Sequence, residues 1–108
     1  MAKLTDEELE AFLSNAEGWT SQDDAIQRDF AFRGFRAAIA FVNRVAEQAD
    51  AARHHPDIEI HYNHVKISLS THDAGGVTEK DVAAAVEIDG AAELGAGEIG
   101  GAAEVDGG

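Results

Sequence analysis

The feature that most constrains the fold is one long amphipathic segment in the middle of the chain. Its apolar residues recur three and four positions apart, which is the spacing of one helix face: Phe35, Ala38, Ile39, Val42, Val45, Ala46 and Ala49. On both sides of it lie segments in which apolar and polar residues alternate, the period of a half-buried strand. The chain is therefore predicted to pack a central helix on strands that come from before and after it.

The strands are predicted as two pairs. The first pair begins at Trp19 and at Ile26, and its second strand places Phe30 and Phe32 on one face. The second pair is a hairpin that alternates through residues 58–62 and 65–69. Its turn lies at residues 62–64, where Asn63 is suited to a left-handed conformation.

Helices are also predicted at both ends of the domain. Thr5 and Glu8 form a capping box for the first, and Thr78 with Asp81 begins the last, which is expected to run to about Ile88. The order helix–strand–strand–helix–strand–strand–helix predicts an α+β fold, a four-stranded antiparallel sheet with three helices packed on one face. Residues 1–89 form this domain, and residues 90–108, rich in Gly, Ala and Glu, are predicted to be a mobile tail.

Composition limits the classes of function. The formal charge is −13, from 21 acidic residues against eight basic ones, and a surface of that sign opposes direct nucleic-acid binding. This negative charge is typical either of an ordinary acidic protein or of a protein from a host with a very salty cytoplasm, where salt screens the repulsion between its carboxylates. The absence of cysteine removes disulfides and thiolate catalysis. Without a long apolar run or a secretory signal pattern, we expect a cytoplasmic protein that does not bind membranes.

Three of the five histidines lie in two short segments that the predicted hairpin brings together. His54 and His55 precede Pro56, the only proline, where the central helix is expected to end. His72 follows the last strand, so the hairpin returns it to the side of that pair. Several imidazoles around one pocket can donate and accept protons near neutral pH, which predicts acid–base chemistry.

A metal site is the main chemical alternative for these histidines. His54, His55 and His72 offer three nitrogen ligands, and Asp50 or Asp73 offers an oxygen ligand for zinc. Adjacent histidines seldom both reach one ion, so proton transfer without metal is the preferred interpretation.

The remaining polar candidates have both structural and functional interpretations. Asp50 lies one helical turn before His54 and can hydrogen-bond that imidazole, or it is a solvated helix acid. Asp81 is explained by capping alone. His61 and His64 flank the hairpin turn, need not share a face, and are predicted to be surface residues.

A set of residues in order and without gaps identifies a family pattern across about residues 4–89. The set comprises Asp50, His54, His55, Pro56, Tyr62, Val65, Leu69, Ser70, Thr71, His72, Gly76, Thr78 and Asp81. It resembles the pterin-4a-carbinolamine dehydratase family. The chain departs from that pattern at Arg53, where an acid is common, and at residues 57–59 after the proline. Because of these departures, the resemblance does not determine the residues at the rim of the pocket or the side chain of the pterin substrate.

The resemblance implies a hydro-lyase that removes water from 4a-hydroxytetrahydrobiopterin during recycling of the pterin cofactor. It implies that His54, His55 and His72 are catalytic and that Asp50 and Asp81 support them. The residues implied to border the substrate are Arg53, His54, His55, Ser70, Thr71, His72 and Asp73. No metal or cofactor is implied, because the pterin is itself the substrate.

The resemblance also implies homodimers or homotetramers and a rival function. Some relatives stabilise the dimerisation helix of a transcription factor, so a protein-binding coactivator module is the alternative. A relative that binds a pterin without turnover is a third possibility. The two main alternatives depend on different surfaces, because a module needs an exposed apolar helix face and an enzyme needs the histidine pocket.

Overall fold

A computed structural model describes the backbone of residues 2–106 and the side chains of residues 2–93. The elements are α1 (Asp6–Asn15), β1 (Thr20–Gln22), β2 (Ala25–Ala31), α2 (Phe35–Ala52), β3 (Asp57–His61), β4 (His64–Leu69), a 3₁₀ turn (His72–Ala74) and α3 (Glu79–Asp106). Neighbouring strands are antiparallel, in the order β1-β2-β4-β3. This confirms the predicted α+β fold and its element order.

The hydrophobic core lies between one face of the sheet and the helices. Val65 of β4 is buried and pairs with Phe30 of β2, so the buried residues of the two strands share a face. From the helix side, α2 buries Phe41 and Val45, and the Phe41 ring centroid lies 4.8 Å from that of Phe30. α3 adds Ile88 to the same cluster. The period of each segment thus brings its apolar face to one common core.

Local signals at the helix starts are confirmed. The Thr5 hydroxyl accepts the Glu8 N–H at 3.1 Å, and the Glu8 carboxylate accepts the Thr5 N–H at 2.9 Å. At α3, Asp81 occupies the third helical position and accepts the Thr78 N–H at 2.9 Å. Both capping interactions join residues three positions apart, so they can be predicted from the local sequence.

The hairpin turn differs from the prediction. Tyr62, not Asn63, has the left-handed backbone, with a φ of 54°. Asn63 instead ties the turn to the end of β2, because its Nδ2 donates to the Phe32 carbonyl at 2.7 Å while its own carbonyl accepts the Phe32 N–H at 2.8 Å. A partner 31 residues away therefore decides how this asparagine is used.

The last helix is longer than predicted. α3 spans Glu79–Asp106, whereas we expected an end near Ile88. Ala91 lies about one helical turn after Ile88, is 4% exposed and belongs to the core. Burial of this apolar residue stabilises the helix beyond Gly90. Mobility of residues 90–108 stays a prediction, since side chains after residue 93 lie outside the described residues. Within the described part of the chain, no helix has the length and apolarity to span a membrane.

Candidate active site

The chain turns sharply at the end of α2, and this turn presents His54. Arg53 takes a left-handed conformation, with φ 54° and ψ 40°. Its N–H donates to the Asp50 carbonyl at 3.3 Å, and the His54 N–H donates to the Ala49 carbonyl at 3.1 Å. This pair of bonds is a Schellman motif, which normally has glycine at the left-handed position. It ends the helix before His54, as predicted from Pro56.

His54 pairs with a carboxylate from another helix. Its Nε2 lies 2.5 Å from Oδ1 of Asp81, at the start of α3. Asp81 is fully buried, and the His54 side chain is 12% exposed. A buried carboxylate needs hydrogen-bond donors to offset its lost hydration, so the imidazole is held firmly in this pair.

Two threonines complete the hydrogen bonding of Asp81. Its Oδ2 accepts from the Thr71 hydroxyl at 2.8 Å and from the Thr78 N–H. The Thr71 and Thr78 hydroxyl oxygens are also 2.8 Å apart. Since Thr71 donates to Asp81, the proton between the two threonines belongs to Thr78. An ionised Asp81 can only accept, and His54 Nε2 is then the donor of their bond, with Nδ1 as the second ring nitrogen.

The loop that carries His72 is tied to the same carboxylate. Thr71 immediately precedes His72, and the Thr71 N–H donates to the Gly76 carbonyl at 2.9 Å, which closes the loop on itself. Gly75 closes the 3₁₀ turn with a φ of 76°, in the region that favours glycine. His72 and Asp73 are exposed. The structure therefore joins the His54 and His72 segments through Thr71 and Asp81.

The other substrate candidates lie apart from this network. His55 Nε2 lies 2.9 Å from Asp50 Oδ1, with side-chain exposures of 63% and 80%. Of the two interpretations of Asp50, the hydrogen bond to His54 is not formed and the exposed helix acid is what the structure has, because the left-handed turn at Arg53 brings the next histidine, His55, to that carboxylate. The Ser70 hydroxyl donates to the Asp24 carbonyl at 2.8 Å, in the turn between β1 and β2.

His61 and His64 lie away from the buried pair, as exposed residues at the end of the β3–β4 hairpin. They are direct cross-strand partners, so they share a face of the sheet. His61 lies near Glu59, with 3.5 Å between Nε2 and Oε1. The prediction that both are surface residues is confirmed.

A protein-family comparison decides the assignment. A family model described as pterin 4 alpha carbinolamine dehydratase matches residues 2–91. The chain belongs to this family. The match includes the segments that hold His54, His72 and Asp81.

Curated relatives agree with this membership in the pterin-4a-carbinolamine dehydratase family. A relative from Thermomicrobium roseum, whose name refers to this dehydratase, is 54% identical over 88 residues, covering 82% of this chain and 95% of the relative. Another, from Picosynechococcus, is 56% identical over 79 residues, covering 73% and 86%. Identity at this level extends through most of each relative.

Solved structures give the same fold. A transcriptional coactivator/pterin dehydratase from Brucella melitensis matches with a TM-score of 0.81 and 36% identity, over 83% of this chain and 98% of that one. A pterin dehydratase-like protein identified as a RuBisCO assembly factor in the alpha-carboxysome matches with a TM-score of 0.58 and 24% identity, over 68% and 86%. The second match supports the fold alone.

Sequence reasoning missed part of the site of this pterin-4a-carbinolamine dehydratase family member. The residues themselves assigned Asp81 to capping and the family resemblance to support of the histidines, without naming His54 as its partner, whereas the same carboxylate caps α3 and pairs with His54. The bond from the Thr71 hydroxyl to Asp81, and the bond between the Thr71 and Thr78 hydroxyls, were also not anticipated. The capping box was the only local signal, and it contains nothing about a histidine 27 residues away. Among the residues described, no three His, Cys, Asp or Glu side chains converge as a set of metal ligands.

Proposed function

We propose that this protein is a 4a-hydroxytetrahydropterin dehydratase, a hydro-lyase that works by histidine acid–base catalysis without metal or cofactor. The observation that carries the proposal is the buried Asp81, which holds His54 at 2.5 Å and Thr71 at 2.8 Å. Membership in the pterin dehydratase family supplies the substrate class. Such a dehydration requires one oriented imidazole and a second one that can exchange a proton with the same substrate, and the Thr71–Asp81 bond ties the segment of the exposed His72 to that of His54.

The proposed reaction breaks one bond and moves two protons. The C4a–O bond of the 4a-hydroxytetrahydropterin breaks, and the departing hydroxyl takes a proton from the protonated His72 and leaves as water. His54 removes the proton on N5 through Nδ1, and the N5 electron pair forms the C4a=N5 double bond of the quinonoid dihydropterin. No oxidant or covalent intermediate is needed. Each positioned group contributes about 10²–10⁴-fold to the rate.

The other candidate residues have secondary roles in this proposal. Asp81 fixes the tautomer and orientation of His54. His55, paired with Asp50, and the exposed Arg53 border the pterin. We place the main chain of residues 70–73 along the rigid heterocycle edge, which backbone groups can recognise. The physiological role would be recycling of a pterin cofactor in the cytoplasm.

A protein-binding module is the second candidate function. It is favoured by the Brucella relative, whose name combines coactivator and pterin dehydratase. The helix that begins at Phe35 offers little free apolar surface, because the core buries Phe41, Val45 and Ala49. Among the described side chains, the exposed large apolar residues are Phe35 and Val86 on the helices and Ile60 and Tyr62 in the β3–β4 hairpin. The enzymatic proposal therefore rests on a more completely formed site.

Stopped-flow decay of a 4a-hydroxytetrahydropterin generated in situ tests the proposal. We expect the wild type to accelerate decay above a no-protein control and His72→Ala to remove most of that acceleration. His64→Ala is the matched control, because His64 lies exposed in the β3–β4 hairpin, and it should keep full activity. Folded wild-type protein that gives no acceleration at low or molar KCl would exclude the dehydratase and favour the binding module.

A further inference from the structure

Two polar side chains of α2 reach across to the backbone of α3. Gln48 Nε2 donates to the Glu87 carbonyl at 3.1 Å, and Arg44 Nε donates to the Ala91 carbonyl at 3.3 Å. The donors are four residues apart on α2, and the acceptors are four residues apart on α3. The donor with the higher residue number on α2 bonds the acceptor with the lower residue number on α3, so the two helices are antiparallel. The two bonds together hold them in one axial register.

Asp81 lies on the same helix as the two acceptors, six residues before Glu87. His54 lies six residues after Gln48, just past the end of α2 at Ala52, where the turn at Arg53 places it beside Asp81. The acceptors at Glu87 and Ala91 are main-chain carbonyls inside a helix, so the two bonds fix the helix itself. Over about 9 Å of rigid helix, at 1.5 Å per residue, that position is transmitted to Asp81.

If packing were its only role, a glutamine at position 48 would lower the stability of the fold. Its Oε1 is buried, and no donor among the residues described reaches it. Gln48 lines the cleft between α2 and α3 together with His54, Pro56 and Ile88. A methionine would fill the same space without a buried acceptor that lacks a donor. The one contact that a methionine cannot make is the bond to Glu87.

We infer that Gln48, with Arg44, is a positioning residue that sets the axial register of α3 against α2 and so holds Asp81 at His54. It acts through the helix backbone and does not touch the reacting atoms. Loss of the Gln48 bond would let α3 shift along α2 and lengthen the His54–Asp81 hydrogen bond. The kinetic consequence rests on the proposed dehydratase function, whereas the structural consequence does not.

The test compares Gln48→Met with wild type by NMR of the histidine rings. We expect the His54 ring nitrogen and Nε2 proton resonances to move toward those of a free imidazole, while those of His55 stay unchanged. His55 is an internal control, because its partner Asp50 lies on α2 itself. The melting temperature should be unchanged or higher, since the substitution removes the buried acceptor. A residue that only stabilised the fold would lower it.

Kinetics and two further variants complete the test. We expect Gln48→Met to lower kcat about tenfold with KM unchanged, as for a misplaced catalytic group, and Gln48→Lys, which restores a donor toward the Glu87 carbonyl, to recover most of it. Gln27→Met is the matched control, because Gln27 lies on β2 and bonds Gln22. If Gln48→Met does not fold, Gln48→Ala replaces it.

Unchanged His54 resonances in a folded variant would overturn the inference. Shifted resonances would support it even if wild type proved inactive as a dehydratase, and that result would count against the proposed function alone.

Discussion

At the scale of single residues, Asp81 has two roles that are usually separate. It caps α3 by accepting the Thr78 N–H, and it orients His54 with its other oxygen. Because Asp81 is buried, even a substitution that keeps its shape should impair both roles if it breaks a hydrogen bond. A buried polar atom that loses its partner keeps the full cost of desolvation.

Asp81→Asn is expected to separate shape from hydrogen bonding. The amide keeps one acceptor oxygen for α3 but can place an N–H against His54 Nε2–H, which forces the imidazole into the other tautomer. We predict a loss of about 10²–10⁴-fold in kcat and of about 1–3 kcal/mol in the free energy of unfolding. Urea denaturation and stopped-flow assays measure the two effects. Asp29→Asn, at an exposed position of β2, is the control; equal effects in both variants would contradict the assignment.

Arg53 is strained because of where the Schellman turn places it. A non-glycine residue in the left-handed region costs about 1–2 kcal/mol, and Arg53 has a φ of 54°. We predict that Arg53→Gly unfolds at higher urea concentration than Arg53→Ala, by about 1 kcal/mol in stability. The two variants lack the same guanidinium, so their difference reports the backbone alone. An alanine variant as stable as the glycine variant would show that the turn relaxes.

At the scale of elements, a polar cluster joins the first strand pair to the middle of α3. The Trp19 indole N–H donates to Asp89 at 3.0 Å, and Arg28 lies 2.8 Å from the same carboxylate. The Arg28 guanidinium also stacks at 4.6 Å from the Phe30 ring centroid. A side chain on Gly18 would collide with Arg28, since an added Cβ would lie 2.6 Å from Nε. The cluster therefore depends on a glycine before the strand.

Asp89→Ala, which removes both acceptor oxygens, should weaken this connection without changing the site. Trp19 is 4% exposed, so its indole N–H depends on that acceptor, whereas the Arg28 pair is partly solvated and contributes at most about 1 kcal/mol. We predict a loss of about 1–2 kcal/mol in unfolding free energy, measured by circular dichroism in urea. The His54 NMR resonances should stay in place. A shift of those resonances would mean that the cluster and the catalytic pair are coupled.

At the scale of the whole molecule, the charge of −13 is the dominant property. Like charges at this density repel one another in the folded state, and salt shortens the range of that repulsion to about 3 Å at 1 M.

The family resemblance further predicts a homodimer or homotetramer, and light scattering would measure its mass.

Salt dependence tests the interpretation of the acidic surface. We predict that the melting temperature rises steadily from low salt to molar KCl, because screening relieves repulsion in the compact state more than in the expanded one. Calorimetry at matched protein concentration measures the curve, and light scattering at each salt separates it from a change of oligomer. A flat curve would favour an ordinary acidic protein.

Sequence alone determined the features whose partners lie within a few residues. The helix face of α2, the alternation in β2 and β4, and the capping interactions at α1 and α3 all depend on spacings of two to four residues, so their geometry follows from the local chain. Only the tertiary structure decided that His54 pairs with Asp81 and leaves Asp50 to His55, and that Asn63 bonds Phe32. The reason is physical: the turn at Arg53 redirects the chain, and burial then selects partners that are distant in sequence.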